Sequence, residues 1–440
     1  MAGGNWTTQN KVLPGVYTNV RGEATAGISA GDRGIVALPL ILPWLTPKTV
    51  LTITKDTADA ILAVLGTAGL LIREAIKKAS VVLLYRLNEG TAATATAGNL
   101  TATAKYPGTL GNELKISVEA VAGESGQFYV RTFRGTAEVD IQKAAEVAGL
   151  SANAYITLSG TGVLTASAGV SLTGGADGSV VTADYSAALA AFELYTFHAV
   201  SCPVTTTDVI ALFTAYAQRL RTEEGKNIQA VVPDTLSVNS YAVLSVKNGY
   251  TLADGTVLTA AQATAFVAGA TAGVPLTESL TNAIVPGAVD VATRYTNTQL
   301  TANINAGQIV FIPGPYGSNE VRICADINTL ITFTEERPKA FSKNKIIRTL
   351  DTIDNHIQER GNAAYVGKIS NLSDGRALFK AEIFAYFVEL EEQGILSDVS
   401  ADDIVISKGD ASDAVVVTYG ARPIDVMEKL YNTIVVSAAV

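Results

Sequence analysis

An alternation of apolar strand and amphipathic helix begins at Ile35, stops near residue 91 and resumes near residue 196. "IVALPL" supplies a short apolar strand over 35–40, and "VVLLYRL" a second over 81–87. Between them Ile61, Val64, Leu65, Ala68 and Leu71 recur at helical spacing. This spacing predicts a helix over about 57–78, with Glu74 and Lys78 as an i,i+4 pair. Apolar strands separated by helices belong to a sheet covered on both faces. After the gap the pattern returns as strand 196–203, helix 208–224, strand 227–233, an alanine-rich helix 259–272, and strands 308–313 and 320–327. A sheet that is split in sequence but continuous in pattern needs the intervening segment to fold as an insertion.

That segment has its own character. "TAATATAGNLTATA" opens it, and the short alternating runs 114–118, 128–133 and 155–158 follow, separated by Gly-rich turns. From Gly149 to Val200 only Asp177, Asp184 and Glu193 are charged. We therefore expect residues 95–180 to form a peripheral, independent β-rich domain inserted into an α/β core made of 22–94 and 181–331. A third region is charge-rich: residues 332–396 hold nine basic and ten acidic side chains. Ser342 is placed to cap one helix, with Ile346, Leu350, Ile353 and Ile357 on its apolar stripe. Asp374 is placed to cap a second, with Leu378, Ala381, Ala385 and Val388 on its stripe. The strand-like runs "DIVISKGD" and "AVVVTYGARP" complete an α+β C-terminal domain over 332–420.

Composition sets limits on function. With 440 residues the chain exceeds what one hydrophobic core serves. It is 48% hydrophobic and 17% charged, enough to fill a large core, and its net charge of −9 without a Lys/Arg block argues against nucleic acid. The run 34–45 is too short and proline-broken for a membrane helix, and no signal peptide opens the chain, so a cytoplasmic product is expected. Two cysteines, Cys202 and Cys324, are too few for a disulfide framework.

Motifs that carry chemistry are weak. His198 and Cys202 share a strand face, as a Cys–His nucleophile would need, but Val200 between them marks that face as core. His356 lies near Asp351, Asp354 and Glu359 in no standard metal-ligand spacing, which fits a solvated helix face better. "GGADGS" over 174–179 has the flexibility of a loop, but lacks the helix context and lysine of a phosphate site. No catalytic, cofactor or metal residue is assigned.

The ends are more telling. "KVLPGVY" (11–17) precedes any plausible core, and "YNTIVV" (431–436) follows the last one. An unpaired strand needs a partner from another chain. Residues 1–21 and 421–440 therefore read as arms pairing with other copies, head to tail. Pro423 in "GARP" reads as a hinge, because it cannot continue a ladder.

These residues resemble contractile tail sheath proteins, as found in phages and phage-like particles such as R-type bacteriocins, in their Gram-positive form. "LPGVYTNV" (13–20) is similar to the family's N-terminal signature. "YPGTLGNELKISV" (106–118) and "LTGGADGSVVTADYSAALAAFE" (172–193) are similar to the start and end of its insertion. "FTEERPKAFSKNKIIRTLDTIDNHI" (333–357), "GKISNLSDGRALFKAEIFAYFVELEEQGIL" (367–396) and "RPIDVMEKLYNTIVV" (422–436) resemble its C-terminal domain and arm. The resemblance implies a non-enzymatic subunit of stacked hexameric rings around an inner tail tube. It implies contraction that drives the tube through an envelope, and baseplate and tail terminator proteins as further partners. Assembly would occur in the host cytoplasm, and the product would be a virion or tail-like particle. It also implies arm contacts through Val12, Leu13, Val16, Tyr17, Tyr431, Thr433, Ile434, Val435 and Val436, and places the C-terminal domain next to the tube. There Arg376, Lys380 and Lys368 are exposed-charge candidates for a reversible grip. Other readings are a tail tube or lattice protein, or an envelope-degrading enzyme with a Cys–His site.

Overall fold

The computed structural model describes residues 33–235, 238–315 and 318–436, and the backbone of 2–4 and 15–17. Two units are distinguished, Met1–Asp32 and Arg33–Val440. In the first, Ala2–Gly4 and Gly15–Tyr17 pair in parallel, with Val16 opposite Gly3.

The second unit is built on a seven-stranded sheet. Its spatial order is Gln308–Ile309, Val243–Val246, Gln229–Pro233, Ala199–Ser201, Ile35–Leu40, Val81–Arg86, Val50–Thr54. All neighbours are parallel except the last pair. Both faces are buried, as apolar runs without alternation require. Val36, Leu38 and Leu84 face one cluster with Ile72 and Phe266. Ala37, Leu83 and Tyr85 face another with Phe192 and Phe213. The expected strand 308–313 divides: Gln308–Ile309 joins this sheet, while Phe311–Pro313 pairs with Val321–Ile323.

The helix expected over 57–78 is broken. Lys55–Leu65 ends at Gly66, which takes φ +56°, and Leu70–Ile76 restarts after a 3-10 turn. Glu74 is buried and pairs one residue earlier than expected, with Lys77 at 2.7 Å, while Tyr250 donates to it at 2.6 Å. The alanine-rich helix Ala260–Gly273 packs against this segment at very short range. A Cβ at Gly269 would lie 2.1 Å from the Ala75 carbonyl, so only glycine fits there.

The insertion comprises two antiparallel sheets. One has the order Ala137–Ala144, Phe128–Arg134, Leu114–Ala120, Ser167–Ser171, and the other Ile156–Gly160, Leu100–Ala104, Thr94–Ala97. Their inner residues, among them Leu100, Ile116, Val130 and Ile156, share one apolar cluster with Leu42, Trp44 and Leu84 of the α/β core. Trp44 meets Tyr106 edge to face at 5.3 Å. The apolar core of the insertion is thus continuous with that of the α/β core.

Buried polar groups lock this seam. The Arg86 guanidinium donates to the Leu45 and Pro107 carbonyls, both at 2.7 Å. Asn88 exchanges two hydrogen bonds with the Leu42 backbone and donates to the Asp177 carbonyl at 2.6 Å. The Asp177 carboxylate accepts from the Thr109 amide and hydroxyl, each at 2.8 Å. Gly90 takes φ +69°, and a Cβ there would sit 2.0 Å from the Ala176 carbonyl. "GGADGS" is thus a tight latch against "YPGTLGNE" rather than a flexible loop.

Candidate functional site

The C-terminal domain begins with the helix Asn344–Arg360, whose capping position is Lys343 and not Ser342. Its polar residues are buried against the α/β core. Arg348 donates to Asp326 at 2.7 Å, with both side chains fully buried. Arg221 makes a two-pronged pair with Asp351, and Asn227 donates to Asp354 at 2.6 Å. Burial alone would raise the Asp326 carboxyl, but the Arg348 charge and hydrogen bonds from Leu280 N and Asn344 hold it below the usual range. His356 is not simply solvated: it stacks on Tyr386 at 3.7 Å, and partial burial lowers its pKa.

The second helix, Ser373–Glu392, starts from Leu372 rather than from an Asp374 cap. Its buried stripe is Ile383, Phe387 and Leu390. The expected stripe faces outward instead, with Leu378, Ala381 and Ala385 exposed. A two-stranded hairpin follows, Ile404–Lys408 with Val415–Tyr419. The helix supports it, and Ile404 joins the small core with Phe387 and Ile353. Val405 and Val416 remain exposed, and among the described residues neither outer edge of the hairpin is paired.

The C-terminal arm leaves from this domain along a defined path. Ser397 N donates to Arg422 O at 3.0 Å and Ile424 N to Ile395 O at 2.9 Å. Pro423 bridges Leu396 between these two bonds, at a position that needs no N–H. Pro423 is therefore paired, and does not start a hinge. Further along, Lys345 Nζ donates to the Ile424 carbonyl. Lys343 pairs with Asp425 at 2.5 Å and Glu428 at 2.9 Å, and the Thr281 hydroxyl donates to Glu428 at 2.7 Å. Beyond Glu428 the arm is extended and exposed. Tyr431 is 91% exposed and Ile434, Val435 and Val436 are each above 80%. Among the described residues, no backbone hydrogen bond joins 429–436 to the rest of the chain. Thr433 lies in the same exposed run.

The other assigned residues are dispersed. Val12 and Leu13 lie outside the described residues, as do the side chains of Val16 and Tyr17. Arg376 is half-buried and donates to the Asn371 carbonyl and side chain at 3.0 and 2.7 Å. Asn371 in turn holds the hairpin turn through Ser412 O and Ala414 O. Lys368 donates to Ala363 O. Lys380 lies one turn beyond Arg376, half-exposed. The anchor formed by Lys343, Lys345, Asp425 and Glu428 was missed in the sequence. The signal is two acids at i,i+3, the only acidic residues of the arm 421–440.

His198 and Cys202 do not form a nucleophile and its base. His198 Nδ1 accepts from Ile35 N at 3.3 Å, and burial, reinforced by the Arg33 charge, holds the imidazole down to about 3. Burial pushes the Cys202 thiol up to about 12, so the reactive thiolate is disfavoured. Among the described residues no group of three His, Cys, Asp or Glu is arranged to hold a metal, and no helix is long and apolar enough to cross a membrane.

Comparison with known proteins fits this layout. Four consecutive stretches match phage tail sheath families: 33–87 the Gp18 domain III N-terminal region, 88–177 the β-sandwich domain, 178–329 the central domain and 336–437 the C-terminal domain. The chain is 34% identical to the phage-like element PBSX protein XkdK of Bacillus subtilis, over 99% of this chain and 100% of that one. This chain belongs to the phage tail sheath family. The crystal structure of the sheath tail protein of Desulfitobacterium hafniense superposes with a TM-score of 0.85 at 42% identity, covering 95% of this chain and 99% of that one. The anti-feeding prophage helical sheath in its contracted state shares the fold, with a TM-score of 0.57 at 12% identity over 97% of this chain and 99% of that one. In this sheath protein the seam residues Arg86, Asn88 and Asp177 lie at the boundaries of the β-sandwich match, where that domain is spliced into the chain.

Proposed function

We propose that this chain is the repeating subunit of a contractile sheath. It polymerises through strand addition into stacked hexameric rings around an inner tube, and contracts to drive that tube through a target envelope. One observation carries the reading. The segment 429–436 is exposed, largely apolar and without a backbone partner among the described residues, on a domain whose hairpin has open edges. Tyr431, Thr433, Ile434, Val435 and Val436 supply one added strand, and Val12, Leu13, Val16 and Tyr17 the other. A five-residue strand makes about four backbone hydrogen bonds, worth roughly 0.5–1.5 kcal/mol each, and each buried Val or Ile adds about 1.5–3 kcal/mol. Ordering costs offset much of this, so one arm alone is a modest bond. Several arms per subunit act together, and the polymer persists.

The tube is gripped through exposed charge, which attracts without deep desolvation and so permits sliding. Lys380 and Lys368 are assigned to this contact together with Arg376, which also braces Asn371. Lys343, Lys345 and Arg348 are excluded as grips, because their charges are spent inside the chain. Baseplate and tail terminator proteins complete the particle, which assembles in the host cytoplasm. The chemistry is mechanical and not enzymatic.

The test is deletion of 429–440, which leaves the Glu428 anchor in place. The truncated protein is expected to keep its far-UV CD spectrum and solubility but to form no long ridged cylinders by negative-stain microscopy. Normal cylinders from the truncated chain would overturn strand addition by this arm.

A further inference from the structure

Three arginines and two aspartates meet where the helix Asn344–Arg360 lies on the α/β core. Arg348 engages Asp326, and Arg221 takes both oxygens of Asp351. Among the described residues Arg33 forms no ion pair, although the Asp351 charge acts on it. Its guanidinium donates to the Thr352 hydroxyl and the Thr271 carbonyl, both at 3.3 Å. Burial, with the Arg348 charge nearby, lowers its pKa to about 10. The C-terminal end of the helix Ala260–Gly273, where Thr271 O lies, supplies roughly half a negative charge. That narrows the charge deficit without closing it.

The hydrogen-bond account is also short. Arg348 Nε and Nη1, Arg33 Nε and the Thr271 hydroxyl are buried and have no partner among the described residues. Arg348 and Thr271 are both fully buried. Backbone contacts link these residues, and the Arg348 charge acts on Arg33. The Thr352 hydroxyl accepts from Arg33 and donates to the Arg348 carbonyl at 2.8 Å, and Arg33 reaches Thr271 through its backbone. A buried guanidinium with two idle nitrogens, bearing three N–H groups, loses several favourable contacts at once, and native proteins rarely leave such groups unpaired. Water supplies acceptors but no charge. A monovalent anion supplies both.

We propose that this joint binds one small monovalent anion, chloride in the first instance, held by Arg348, Arg33 and the Thr271 hydroxyl between the α/β core and the C-terminal domain. The bound ion closes the charge deficit and takes up the idle donors. Cohesion between the two regions then depends on halide. The site stands on these contacts alone and does not depend on whether the chain assembles.

The experiment uses the full chain, exchanged into sodium gluconate, an anion too large to enter. Thermal unfolding is followed as sodium chloride replaces gluconate at constant ionic strength. A saturable rise in Tm of about 2–5 °C is expected, as for a ligand that binds only the folded state. Thr271→Val removes one donor and leaves every charge, and should move the chloride midpoint up about fivefold. Arg33→Gln should do the same if Thr271→Val folds poorly. Line broadening of the chloride NMR signal by the protein, reduced in both variants, reads binding directly. Equal melting in chloride and gluconate, a rise that never saturates, or a chloride response unchanged in both variants would each overturn the site.

Discussion

Where the insertion meets the α/β core, Leu42, Trp44 and Leu110 join a single apolar cluster, and the polar groups that cross the seam bind backbone carbonyls. Where the C-terminal helix meets the same core, Arg348–Asp326, Arg221–Asp351 and Asn227–Asp354 cross the boundary. An apolar seam closed by Arg86 and Asn88 loses buried contacts and carbonyl partners if it opens, so we expect the insertion and the core to move together. Charged pairs can exchange a partner for water or for another ion. The second boundary, which lies beside the arm, is therefore where we expect rearrangement to cost least.

The widest separation between the two seams is expected on excision. Replacing 95–180 with a short linker strips cover from Trp44 and Leu42 and leaves Asn88 without Asp177. We expect loss of soluble, folded protein, measured by yield and far-UV CD. A well-folded excision product would break the comparison, because it would make the insertion a dispensable appendage. Next in size, Asp326→Asn leaves the Arg348 charge buried and unpaired. About 3–5 kcal/mol should be lost in urea unfolding, with hydrogen exchange rising first in 344–360 and not in the insertion. Arg86→Met, similar in length and apolar, leaves the Leu45 and Pro107 carbonyls unmet. A smaller loss, about 2–3 kcal/mol, should appear with exchange rising at both ends of the insertion.

The sequence discloses these seams unequally. Strands such as Ile35–Leu40 and Val81–Arg86 were readable, because runs that are apolar at every position have few other places to go. Helix Ser373–Glu392 was readable as a helix, but not by face. Leu378, Ala381 and Ala385 make as good a stripe as Ile383, Phe387 and Leu390, and only the hairpin packed on one side decides between them. The break at Gly66 was missed, because helical spacing continues across it. Of the candidate site, the bare run 431–436 was visible as a strand with nothing after it to pair with. The Arg348–Asp326 pair was not, since a charged residue in a charge-rich region reads as surface. Arg376 had the right exposure class only in part, because its partner Asn371 sits before the helix.

Acid should separate the seams last and least. His198 is held neutral in the fold at a pKa of about 3, against an ordinary value of 6.5. The unfolded chain therefore binds the extra proton between those values, and stability present above pH 6.5 falls as pH drops. At pH 5 the loss is about 2 kcal/mol, and it should vanish in His198→Gln. This loss strikes the shared core, so both seams should weaken together. Asp326 has the opposite chemistry and the same direction. Its folded pKa lies below the ordinary value, so its contribution is intact above about pH 4 and is lost as pH falls further. Below pH 4 proteolysis should open the C-terminal joint first. Simultaneous cleavage of both regions there would remove the distinction.

The anchoring of Asp425 and Glu428 to Lys343 and Thr281 also sets a distance. Only 429–436 lie beyond it among the described residues, and eight residues of extended chain span roughly 26 Å. If a neighbouring copy takes residues 431–436 as proposed above, the anchor would act as a knot on a rope, leaving that copy free to travel and turn within about this reach. Tension along it would then fall on a salt bridge before it reached the fold.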